Sequence, residues 1–163
     1  MTPSKTTKSP SHRARPAAKK AGPRSNKKAA APKKTKKTAR PEAQVAPVEN
    51  PRAKALAERI AALTLDKKAN DVIILDVRGK TSYADYFVIA SGESERQVSA
   101  MAEHVETTLR GEGFRPVGSE GYDTGHWVLL DYGEVVAHLF FTEVRSFYDL
   151  EGLWADATRE RVA

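Results

Sequence analysis

Asp76 and Asp85 flank the loop Arg78-Gly79-Lys80-Thr81-Ser82, and in this chain they have the strongest claim to catalysis. Paired carboxylates can hold Mg²⁺ for nucleotidyl transfer. Such sites draw two or three carboxylates together, usually from an Asp-x-Asp pair on one strand, and no Asp-x-Asp occurs here. The loop resembles the end of a phosphate-binding loop but lacks its first Gly and opens no helix. The four histidines are His12, His104, His126 and His138, and none stands at metal-ligand spacing from another. Ser91 and Ser94 have no nucleophile-elbow context. The absence of cysteine excludes disulfides, thiol catalysis and cysteine metal sites. No metal and no cofactor are expected. An enzymatic reading is left resting on Asp76 and Asp85 alone, as a Mg-dependent nucleotidyltransferase-like enzyme.

The charge is divided. Residues 1–50 carry fourteen Lys and Arg against two Glu, net +12, whereas residues 51–163 carry thirteen against nineteen Asp and Glu, net −6. The pI of about 9.5 therefore describes neither part. Residues 1–49 are rich in Lys, Ala and Pro and poor in large apolar side chains, so the reading is a disordered basic tail. Its lysines Lys19, Lys20, Lys27, Lys28, Lys33, Lys34, Lys36 and Lys37 suit contact with RNA phosphates. An RNA-binding protein acting through this tail alone is a further alternative. No apolar run approaches the roughly 20 residues that span a bilayer, and the N-terminal residues lack the apolar stretch of a secretory signal. The expected setting is the cytoplasm, with an organelle matrix the lesser alternative.

The positions of these residues depend on the elements around them. Asn50 followed by Pro51 predicts a helix start, with Ala53, Leu56, Ile60 and Leu63 on one face. Buried strands are expected at Val72–Val77 and Tyr86–Ala90. Ser94 and Gln97 form a capping box for a helix whose core face is Val98, Met101, Val105 and Leu109. A short strand is expected over Phe114–Val117, then a loop from Gly118 to Gly125, a hairpin and one last helix that Ser146 and Asp149 could cap. The expected fold class is α/β (α+β), a mixed sheet of about five strands flanked by helices. The expected domain runs over 50–157, with 158–163 a short C-terminal tail.

The hairpin spans Trp127 to Phe140. A turn centred on Tyr132-Gly133 would set Leu130 opposite Val135, Val128 opposite Ala137 and Trp127 opposite His138. One face, with Val128, Leu130, Val135, Ala137 and Leu139, is wholly apolar and must be core. The other carries Trp127, Leu129, Val136, His138 and Phe140. It is too apolar to be left bare to water, so a helix or a partner must cover it. Trp127 and His138 are expected to be an exposed, partner-facing pair.

These segments together resemble the ribosomal silencing factor family, RsfS or Iojap-like. The resemblance is carried by Asp76-Val77-Arg78-Gly79-Lys80-Thr81-Ser82 with Asp85, by Ser91-Gly92-Glu93-Ser94-Glu95-Arg96-Gln97-Val98, by Glu120-Gly121, by the hairpin, and by Arg145-Ser146-Phe147-Tyr148-Asp149-Leu150-Glu151-Gly152-Leu153-Trp154. It covers the domain and not the basic tail. It implies a nucleotidyltransferase-like fold without catalytic carboxylates, and a protein that is not an enzyme. It further implies binding to ribosomal protein uL-fourteen on the large ribosomal subunit, a block on joining of the small subunit, negative regulation of translation, and a homodimer when free. On that reading Trp127, His138, Tyr148, Leu150 and Trp154 form an aromatic patch, and Asp131, Glu134, Asp149 and Glu151 an acidic rim. Core packing of the last helix is the competing account of Leu150, Leu153 and Trp154, strongest for Leu153.

Overall fold

The computed structural model describes residues 46–163, so the tail lysines between Lys19 and Lys37 lie outside the described residues. The first helix, α1 (Pro51–Asp66), starts where the sequence predicts. The Asn50 side chain accepts from the Ala53 N–H at 3.1 Å, and Pro51 occupies the first turn, where no amide donor is needed. The second helix, α2 (Glu95–Gly111), is capped by Ser94, whose hydroxyl accepts from the Gln97 N–H at 3.1 Å. The Gln97 side chain reaches back to the Glu93 N–H at 2.8 Å, one residue before the capping Ser.

Six strands form one mixed sheet, in the order β3-β4-β5-β2-β1-β6. They are β1 (Asn70–Asp76), β2 (Tyr86–Gly92), β3 (Gly118–Glu120), β4 (Trp127–Asp131), β5 (Val135–Phe141) and β6 (Thr158–Arg161). The β2–β5 pair is parallel and the other pairs are antiparallel. β2 is buried along its whole length, as suits a central strand covered on both faces.

Three expectations are corrected. The strand expected over Phe114–Val117 forms three to four residues later, as β3, inside the segment read as loop; Val117 only begins the approach by donating its N–H to the Asp131 carbonyl at 2.6 Å. Residues 158–161, read as a tail, are the sixth strand, paired with Ile73–Asp76 of β1. All four of its residues are exposed, so no hydrophobic alternation marked it. The last helix is two short ones, α3 (Thr142–Tyr148) and α4 (Leu150–Leu153), broken at Asp149, which is left-handed with φ +41°. Its carboxylate caps α4 from there, whereas Ser146 lies within α3.

The hairpin register also differs. Trp127 pairs with Phe140, Val128 with Leu139, Leu129 with His138 and Leu130 with Ala137. The turn is centred on Gly133-Glu134, closed by the Tyr132 N–H to the Val135 carbonyl at 2.9 Å. Gly133 has φ +83°, at the first central position where a two-residue hairpin of the II′ kind requires glycine. The shift is two residues, so every side chain keeps its expected face.

α1 and α2 cover one face of the sheet. Leu56, Ile60 and Leu63 of α1 meet Val98, Met101, Val105 and Leu109 of α2 over Val88, Val128, Leu130 and Leu139. Full burial of each such side chain contributes roughly 1.5–3 kcal/mol. The opposite face has thinner cover. Leu75, Phe87, Ile89, Val136 and Phe140 form a second core beneath α3, α4 and the turn at Ala157. Ile73, Trp127, Leu129, Val144 and Trp154 close this core only in part.

Candidate functional site

The two candidate carboxylates are both engaged. Asp76 accepts a forked pair of bonds from Arg78, at 2.9 and 2.6 Å. The guanidinium holds the Asp76 carboxyl below the usual carboxylate range. Arg78 also lies 5.3 Å over the ring of Tyr86. Asp85 accepts from the Asn50 side chain at 2.7 Å, tying the loop before β2 to the start of α1. Among the described residues, no group of three or more His, Asp and Glu side chains could hold a metal ion. The loop between Asp76 and Asp85 is therefore a structural tie in its contacts.

The other face of the sheet carries a continuous run of rings. Tyr83 stacks on Phe87 at 5.9 Å, and Phe87 meets His138 at 5.0 Å and Trp154 at 5.5 Å. His138 lies 5.8 Å from Trp127, Trp127 lies 4.7 Å from Tyr148, and Tyr148 lies 5.2 Å from Phe147. The inner rings are fixed by strands β2, β4 and β5. The outer ones ride on the β1–β2 loop and on α3. The exposed large apolar side chains of this region are Phe147 (83%), Leu153 (75%), Tyr83 (63%) and Tyr148 (45%). So much apolar surface beside half-buried Trp127, Leu129 and Trp154 has the character of a surface that another protein covers.

The residues singled out from sequence divide into three groups. Tyr148 is exposed, and Trp127 and Trp154 are half-buried, so all three reach the surface of this face. Leu150 is buried and anchors α4. His138 is buried at 6% exposure, which corrects its expected place as a partner-facing residue. The Trp127 indole N–H donates to His138 Nδ1 at 3.2 Å. The neutral ring consequently carries its proton on Nε2, which has no hydrogen-bond partner among the described residues. Burial with no opposite charge nearby pushes the His138 imidazole down to about 4.

The acidic residues divide similarly. Glu134 is exposed. Asp131 turns its carboxylate to the Gly133 N–H at 2.7 Å and shapes the hairpin turn. Asp149 caps the Gly152 N–H at 3.1 Å, and Glu151 is taken by Arg145. Sequence reasoning missed Tyr83, and it missed Phe147 and Leu153 as exposed groups. The signal that could have found Phe147 is Asp149: a capping residue inside the motif resets the helical phase, so Phe147 on α3 does not share the inward face of Leu150 on α4.

Residues 50–163 match the family described as "Ribosomal silencing factor during starvation", RsfS. The chain is 41% identical over 104 residues to the ribosomal silencing factor RsfS of Bacillus subtilis, covering 64% of this chain and 88% of that one. It is 33% identical over 114 residues to the Mus musculus protein named "Mitochondrial assembly of ribosomal large subunit protein 1", covering 68% of this chain and 50% of that one. The crystal structure of a Chromobacterium violaceum protein superimposes with a TM-score of 0.59 at 37% identity, over 71% of this chain and 94% of that one. The matched span holds both helical layers, the whole sheet and the Arg145–Trp154 segment, and the chain belongs to the RsfS family.

Proposed function

We propose that this protein is a ribosomal silencing factor that binds the large ribosomal subunit through ribosomal protein uL-fourteen and, by occupying that surface, keeps the small subunit from joining. The observation that carries this reading is the exposed patch of Tyr83, Phe147, Tyr148 and Leu153 around Trp127 and Trp154. Aromatic anchors over a packed base are what a stable protein footprint needs. Residues 51–163 are net −6, which complements a basic ribosomal protein. Occlusion requires only occupancy, so this is not an enzyme. The basic residues 1–49 add contact with ribosomal RNA, raising affinity without choosing the site. The free protein is a homodimer, and its place of action is the cytoplasm. Among the described residues no helix is long and apolar enough to cross a membrane.

The test is sucrose-gradient sedimentation of mixed ribosomal subunits with the full chain added, against the double variant Phe147→Ser/Leu153→Ser. The wild type should co-sediment with large subunits and lower the joined peak. The variant, having lost two exposed anchors, should bind roughly tenfold or more weakly and leave the joined peak standing. A wild-type protein that leaves subunit joining untouched would overturn the reading, as would a variant that blocks joining equally well.

A further inference from the structure

The segment that presents Phe147, Tyr148 and Leu153 buries little of itself. α3 has no buried residue, and Leu150 is the one buried residue of α4. Two helices this short, with so little apolar anchoring, would be expected to open readily. Their anchoring is polar, and it centres on Arg145. The Arg145 side chain is 12% exposed, facing a Glu151 that is 18% exposed. Its Nε and one Nη donate to Glu151 at 2.8 and 2.6 Å. The other Nη donates to the Asp71 carbonyl and to the Ser91 hydroxyl, both at 2.7 Å. The planar guanidinium thus binds α4, the start of β1 and the end of β2 at once, which a single ammonium group cannot do with the same geometry.

Its receiving side is specialised as well. Asp71 has φ +47° and lies where the β1–β2 register slips between Asn70 and Ile73. This bulge re-aims the backbone carbonyl that Arg145 uses. β6 supports the same point from the far side: Arg161 donates to the Asp71 carboxylate at 2.9 Å, and Arg159 donates to the Glu151 carbonyl.

We propose that Arg145 is the positioning residue of the docking surface: it clamps α3 and α4 to the bulged start of β1, so that Phe147, Tyr148 and Leu153 stand as one face. β6 completes the clamp, which makes the last strand part of the docking machinery. The inference rests on the docking reading above. Arg145 itself faces inward and need not touch the partner.

The test uses the full chain with Arg145→Lys, which keeps the charge and loses the fork, and Glu151→Gln, which removes the charge of the receiving group. Two quantities are read: hydrogen exchange of the amides of residues 142–154 against those of β2 and β5, and affinity for large subunits. Both variants should speed exchange in 142–154 about tenfold or more while β2 and β5 keep their protection. Affinity should fall about tenfold with the salt dependence of binding unchanged, because no charge at the interface has been removed. Unaltered exchange over 142–154 overturns the clamp. Faster exchange with unaltered affinity overturns its role in docking, and so does an equal loss of protection across β2 and β5. If Phe147→Ser weakens binding and Arg145→Lys does not, this inference alone fails. If wild-type protein does not bind large subunits, the docking reading has failed and the inference goes with it.

Discussion

Replacing His138 with Phe should change how stability depends on acid, by an amount that follows from its burial. The ring is packed among Phe87, Trp127 and Phe140, and its folded pKa is pushed down to about 4 from an ordinary value of 6.5. The unfolded chain therefore takes up a proton at a higher pH than the folded chain does. The unfolded state binds more protons through this window, so folding stability falls as pH drops below about 6.5 and the loss levels off near pH 4. Each tenfold imbalance corresponds to about 1.4 kcal/mol. Between pH 7.5 and pH 5, His138 should remove about 2 kcal/mol of stability. The carboxylates titrate in both proteins and cancel in the comparison. Phe fills the same apolar site without titrating, and its separate cost is loss of the Trp127 N–H acceptor, about 1 kcal/mol at every pH. Urea unfolding of both proteins at pH 7.5, 6 and 5 measures the effect. The wild type should lose about 2 kcal/mol more than His138→Phe over that range. Parallel stability curves would refute the buried, neutral imidazole, and a wild type that gains on the variant in acid would reverse the sign.

Two further outcomes are expected. Gly121→Ala should destabilise by about 1–3 kcal/mol in the same unfolding assay, because Gly121 has φ +89° and an added Cβ would stand 1.9 Å from the Trp127 carbonyl oxygen; an unchanged midpoint would show that this loop can move away at little cost. Removing residues 1–48, which hold all fourteen basic residues before Pro51, should flatten the salt dependence of large-subunit binding yet leave joining blocked at low salt, and an unchanged slope would sink the RNA-contact reading.

The helical layer was readable because its signals agree. Asn50-Pro51, the Ser94-Gln97 cap and the spacing of Val98, Met101, Val105 and Leu109 each point to the same boundaries and the same face. The hairpin was readable in its faces and not in its register. A shift of two residues leaves Val128 and Leu130 inward and Trp127 outward, so the hydrophobic pattern cannot tell the two pairings apart. Only the turn distinguishes them, through the demand of Gly133 for the first central position. Trp127 consequently lies opposite Phe140 and diagonal to His138. An indole is long enough to span that diagonal, so the Trp127–His138 bond forms at 3.2 Å although the two residues are not directly opposite. β6 left no trace of this kind: its residues Thr158 to Arg161 are exposed and polar, and what holds them is the backbone ladder to β1.

The Arg145–Trp154 segment shows why charge misleads at such a site. An acidic residue beside aromatic ones reads as the rim of an interface, since carboxylates are almost never fully buried unless paired. Glu151 meets that exception. It lies six positions after Arg145, a separation that a continuous helix would not bring into facing contact. The break at Asp149 turns α4 back so that the pair closes. The same break leaves Phe147 outward, where uniform helical spacing would have set it on one face with Leu150, three positions on. Inward arginine and outward phenylalanine thus have a single cause, one residue in the left-handed conformation. On the docking reading proposed above, a surface built this way rests on its polar clamp as well as on its apolar contacts, and the residues that determine docking include Arg145, which faces away from the partner.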